Sequence, residues 1–143
     1  MERFRMETPQ VIAYFEDETG IVHVSYRGVL TPDITAQVYK WMMESVQFLD
    51  VQQIVGGIYD FRQVTDFNKG NLATAHRESR NFNVKVDVSN IPAALLVSTL
   101  FQEQMVKISM QITPGQDRKR IVKSMDEATA FIKQFRKRQT KTE

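Results

Sequence analysis

The chain has 143 residues, 42% hydrophobic and 25% charged, which is enough for one ordinary domain burying about 68–70% of its unfolded surface. It contains no cysteine, which excludes disulfides and any thiolate ligand or nucleophile and suits a reducing compartment. Net charge is a mild +2 but unevenly placed, −5 over residues 1–60 and +7 over residues 61–143; such asymmetry marks either an anionic partner or a solvated surface.

No charged leader precedes a long apolar segment, and no apolar run approaches the ~20 residues that cross a bilayer. A soluble, cytoplasmic protein is therefore expected. Val11–Phe15, the polar stretch Glu16–Gly20 and Ile21–Arg27 read as strand, turn and strand of an antiparallel hairpin. Thr31-Pro32-Asp33 is a helix start with a mechanism: a capping hydroxyl, a proline tolerated at the first position and a carboxylate at the positive end of the dipole. The first helix then lines Ile34, Val38, Trp41, Met42, Ser45 and Leu49 along one stripe, core or an exposed recognition face.

Ile54–Phe61 is apolar or small except for Asp60, as expected of a strand covered on both faces of a mostly parallel sheet. Gly56 and Gly57 sit on opposite faces of it and imply close approach by a helix or a ligand. Asn68 to about Arg80 is a weakly amphipathic helix. Residues 82–88 alternate with period two and are expected as an edge strand or an extended loop. Ile91–Val97 is a second apolar strand, followed by a helix over about 100–112 with Phe101, Met105, Ile108 and Ile112 on one face. Thr113-Pro-Gly-Gln-Asp stops it. Arg120–Lys123 is a last strand, and Ser124-Met-Asp-Glu127 a capping box opening a helix that buries Ala128, Phe131, Ile132 and Phe135.

The order β-β-α-β-α-β-α-β-α predicts an α/β fold with a mixed, mostly parallel five-stranded sheet and an N-terminal antiparallel hairpin. One domain spans 1–143, its ordered core about 10–135, with a basic tail at 136–143. The hairpin, the Gly28-Val-Leu-Thr-Pro-Asp33 run into the first helix, the strand ending Tyr59-Asp-Phe-Arg62 and the Arg120–Ala128 strand-to-helix unit together resemble the SpoIIAA-like family. That family shares its fold with STAS domains and is compared with CRAL-TRIO lipid carriers. The resemblance implies a non-catalytic binding or regulatory module, with either a small apolar or lipid-like ligand or a protein partner. In antagonist-type STAS domains a phosphorylatable serine follows the central strand; here Phe67 and Asn68 stand at those places, Asp66 keeps the acidic neighbour, and Thr65 is the nearest hydroxyl.

Three groups of residues are candidates. The crevice at the strand ends would gather Asp60, Arg62, Thr65, Asp66, Phe67, Ser98, Thr99 and Phe101 around a ligand; alternatively Asp60 and Arg62 pair or cap a helix and the phenylalanines complete the core. Arg118, Lys119 and Arg120 with Arg136, Lys137 and Arg138 would form a basic rim for peripheral contact with anionic membrane, or a solvated tail. Nucleic acid ranks below membrane, because no aromatic residues interleave these charges. Asn68, Lys69 and Gly70 would present a partner surface. His23 and His76 have no metal or triad spacing around them, no phosphate-binding glycine loop follows the central strand, and no acidic pair is set for acid–base work; no catalytic residue, metal or cofactor is expected.

Overall fold

The computed structural model describes residues 2–113 and 115–142, without the side chains of 116 and 139–142. Six strands, β1 (Glu2–Glu7), β2 (Val11–Glu16), β3 (Ile21–Leu30), β4 (Gly56–Phe67), β5 (Ala93–Leu96) and β6 (Lys119–Val122), lie side by side in chain order. The first two pairings are antiparallel and the last three parallel. The helices are α1 (Pro32–Ser45), α2 (Asn71–Lys85), α3 (Leu100–Ile112) and α4 (Met125–Thr142). The mixed α/β architecture and the hairpin are as expected.

The strand count is six rather than five because β1 precedes the expected start of the core at residue 10. Its signal is there in the sequence: in Glu-Arg-Phe-Arg-Met-Glu, charged residues alternate with Phe4 and Met6, which pack on the core, the period of a half-buried strand. The register of β1 on β2 slips between Arg3 and Met6, where Phe4 takes φ 58, an unusual left-handed conformation for a bulky residue. Trp41 of α1 donates its indole N–H to the Phe4 carbonyl, tying the irregular strand to the first helix.

The helices α1, α2 and α3 follow three parallel crossovers that step across the sheet in one direction, and they share one face of it. There Ile34, Val38 and Trp41 meet Val11, Ala13, Val24, Tyr26 and Val64. Thr31 caps α1 as predicted, its hydroxyl accepting from the Ile34 amide at 3.4 Å. On the other face Ala128, Phe131 and Ile132 of α4 pack on Ile21, Ile58, Ala94, Leu96 and Val122. Ser124 caps the Glu127 amide at 3.1 Å, while the Glu127 carboxylate returns to the Lys123 amide at 3.0 Å, one residue short of a reciprocal capping box.

The central strand β4 is fourth of six, between β3 and β5. It begins at Gly56, two residues later than the apolar run, and continues to Phe67. On one face a Cβ on Gly56 would lie 2.9 Å from Ile132 of α4; on the other, a Cβ on Gly57 would lie 3.0 Å from the Tyr59 ring. The glycine pair thus serves close helix packing on one side and a folded-over tyrosine on the other.

Three expectations are corrected. Residues 82–85 finish α2, where Phe82 meets Tyr39 edge-on at 6.1 Å; the period-two alternation is incidental, and Val84 is exposed. The α3 stripe of Phe101, Met105, Ile108 and Ile112 is not one continuous core face: Phe101, Ile108 and Ile112 are 43%, 44% and 41% exposed, Met105 is half-buried against the cavity, and Gln102 and Val106 are buried. Arg136 onward continues as the last turns of α4 instead of an unstructured tail. Pro114, within the predicted helix stop, and the chain end at 143 lie outside the described residues.

Candidate functional site

The predicted crevice is filled by one side chain that sequence reasoning passed over. Strand β5 pairs with β4 only as far as Asp60–Leu96, so the later part of β4 has carbonyl groups on that edge without a strand to bind them. Gln102, 4% exposed, occupies this gap. Its amide nitrogen donates to the carbonyls of Arg62 at 3.1 Å and Val64 at 2.9 Å. Its amide oxygen accepts from the backbone N–H of Ser98 at 2.8 Å and of Thr99 at 3.2 Å, and from the Ser98 hydroxyl at 3.2 Å. The Thr99 hydroxyl in turn accepts from the Gln102 amide. The Thr99-x-x-Gln102 spacing is the same capping-box pattern recognised at 124–127, and was the available clue.

The remaining crevice residues fall into place around that plug. Asp60 and Arg62, two apart on β4, form a two-pronged pair at 3.0 and 2.9 Å, and the carboxylate raises the guanidinium pKa further. Thr65 and Asp66 are exposed, Asp66 accepting from the Phe67 amide. Thr65 lies inside β4, away from the α2 start where a phosphate would meet the dipole. Tyr26 stacks on Phe61, Phe61 on Phe67, and Phe101 meets Phe67 edge-on at 5.9 Å, a row of rings from the core to the surface. Asp60 and Arg62 thus bind each other, and Ser98 and Thr99 bind Gln102.

A cavity lies on the inner side of that row. Between α1, α2, α3 and the sheet is a cavity of about 170 Å³, lined by Tyr26, Tyr39, Trp41, Met42, Tyr59 and Leu95 on one side and Val106 and Ser109 on another, with Phe67 and Asn68 also at its wall. Leu95 and Tyr59 sit on interior strands yet are only half-buried, because their free surface faces this cavity. The Tyr59 hydroxyl reaches the Met42 sulfur at 3.5 Å. Burial raises the phenol pKa values of Tyr26, Tyr39 and Tyr59, Tyr39 to about 12, so all three stay protonated near neutrality.

Two members of the predicted basic rim line this same cavity: Arg118 and Lys119. Arg118 donates to the Ile91 carbonyl at 3.0 Å, and Lys119 to the Thr113 hydroxyl at 2.9 Å. Burial, with Arg118 adding to it, lowers the Lys119 ammonium to about 8. Arg120 instead sits 4.7 Å over the Phe131 ring of α4, and Arg136 donates to the Asn90 carbonyl. The last helix does bring residue 136 back to the end of the sheet where β6 starts, as expected, but alternation along β6 sends neighbouring charges to different faces. The single rim is thereby split, leaving Arg120, Lys137 and Arg138 exposed.

At the predicted partner surface, Lys69 and Gly70 are exposed, and Asn68 accepts from the Gly70 amide at 3.0 Å. His23 stacks on Tyr14 and lies 3.6 Å from Glu16. Among the described residues, no three His, Asp or Glu side chains gather as a metal ion would require, and no helix is long and apolar enough to cross a membrane.

No family model and no curated protein matches the sequence. Among solved structures, the chain is similar to an uncharacterised protein of the DUF3478 family with a SpoIIAA-like fold from Shewanella loihica PV-4, with a TM-score of 0.52 and 12% identity over 90% of this chain and 89% of that one. The likeness lends nothing to the CRAL-TRIO comparison. What the two chains share at that identity is the fold, and the fold of this protein is SpoIIAA-like.

Proposed function

We propose that the protein is a non-catalytic binding module that holds a small apolar molecule between α1, α2, α3 and the sheet. The observation that carries this is the cavity of about 170 Å³ among Trp41, Met42, Tyr59, Leu95 and Val106. Native interiors hold few voids larger than a water molecule, and an engineered apolar cavity of ~150 Å³ in another protein stays dry and binds benzene. The proposed site lies inward of the strand-end crevice, with Phe67 as a shared wall. Trp41 is the single tryptophan and lines the space, so its fluorescence reports occupancy. Titration with 1-octanol should shift Trp41 emission saturably in the wild type and more weakly in Leu95→Phe, whose ring narrows the void. An unresponsive wild type, with nothing retained in native mass spectrometry of protein purified without detergent, would remove the proposal.

A second reading, a regulatory protein-interaction domain of STAS-like type without the usual phosphorylatable serine, is favoured by the outer face of α3. Phe101, Ile108 and Ile112 leave apolar surface exposed there, beside Phe67 and the Asn68–Gly70 loop. Ile108→Asp should abolish capture of a specific partner from the native cell, with Lys69→Glu weakening it; unchanged capture by both would place any partner elsewhere. Peripheral contact with anionic membrane rests on Arg120, Lys137 and Arg138, three charges at ~1 kcal/mol each. Sedimentation with phosphatidylserine vesicles at low salt measures it.

A further inference from the structure

The cavity is apolar along most of its wall but not at one pole. Arg118 and Lys119 both line it, and among the described residues each donates to a neutral oxygen, the Ile91 carbonyl and the Thr113 hydroxyl. Among the described residues neither is ion-paired with a carboxylate. Ser109 also lines the wall, its carbonyl accepting from the Thr113 hydroxyl. An uncompensated cation in a poorly solvated site is costly, and buried charges in proteins are normally paired. Two side by side, like charges that repel each other, are the chemistry that attracts a small anion.

We propose that the occupant of the cavity is an amphipathic anion, an apolar chain or ring ending in a carboxylate, with its head at Arg118 and Lys119 and its body against Met42, Leu95 and Val106. This rests on the cavity being the binding site. The carboxylate supplies the charge that the pole lacks, the guanidinium offering two parallel donors and the ammonium a third. The apolar body fills the void that otherwise leaves Tyr59 and Leu95 without contacts on one side.

The test is a three-probe series of equal length, octanoate, 1-octanol and octylammonium, followed by Trp41 fluorescence at pH 7. Octanoate should bind about tenfold or more tighter than octanol, and octylammonium weakest, because hydrogen bonds to charged groups contribute roughly twice what neutral ones do. Lys119→Met and Arg118→Gln should each bring octanoate down towards octanol while leaving octanol within about twofold, which also reports that the cavity remains folded. If octanol binds and octanoate binds no tighter, the anion proposal falls and the cavity reading survives. If no probe binds, both fall. If either variant fails to fold, the order of the three probes on the wild type still decides: octylammonium at or above octanoate overturns the proposal.

Discussion

Lys119 carries the clearest residue-scale consequence. Folded, it releases its proton near pH 8, against an ordinary value of 10.5. Between those pH values the unfolded chain binds more protons than the native one, so stability rises with pH across the interval and the burial cost is full below pH 8. Tyr39 works the other way above pH 10, because its phenol ionises first in the unfolded chain. The window is therefore pH 8–10. Denaturant unfolding of wild type and Lys119→Met at pH 7 and pH 10 should show the wild type gaining about 2–3 kcal/mol relative to the variant, from ~1.4 kcal/mol per pKa unit. A difference that stays constant with pH would mean that Lys119 is solvated. Gly56 offers a steric counterpart. Alanine there meets Ile132 at 2.9 Å, and Gly56→Ala should destabilise by about 1–3 kcal/mol through overpacking, measured in the same way.

At the scale of elements, Gln102 joins three of them. One amide satisfies two carbonyls of β4, two amides and a hydroxyl at the end of β5, and the first turn of α3. Gln102→Leu keeps the volume and removes every bond, leaving buried donors and acceptors unpaired at about 1–3 kcal/mol each. Unfolding should be easier by at least about 2 kcal/mol, whereas Ile108→Lys, on the exposed face of the same helix, should stay within about 0.5 kcal/mol. The contrast also explains why the apolar stripe of α3 does not mark its buried side. Phe101, Met105, Ile108 and Ile112 keep helical spacing, but the inward position at 102 went to a polar residue that closes backbone bonds no strand supplies. Hydropathy is blind to that, since it scores glutamine as outward-facing whatever its partners.

For the molecule as a whole, β1 is the edge on which the N-terminal end of the sheet depends. It pairs with β2, lays Phe4 and Met6 on the core and receives the Trp41 indole. A chain lacking residues 2–7 should expose the β2 edge together with the Trp41 side of the core. Self-association in size-exclusion chromatography and a lowered unfolding midpoint are the expected outcomes. Alternation of Arg3 and Arg5 with Phe4 and Met6 made β1 readable in principle; its shortness and high charge hid it.

Local patterns were sufficient for the hairpin, the Thr31 cap, the central placing of Ile58 and its neighbours, the α4 stripe and hence the SpoIIAA-like fold, because each rests on residues a few positions apart. The cavity was not available from such patterns. Its walls come from β2, β3, β4 and β5 and from three helices, joined at one pole by Arg118 and Lys119, and their convergence depends on crossover geometry that spacing along the chain does not encode. At the strand ends the organising residue is one glutamine, two of whose five side-chain bonds reach residues 40 and 38 positions earlier. Which side chains stand opposite one another across the sheet was settled only when the chain packed, since a void is a property of surfaces that meet and of no single one of them.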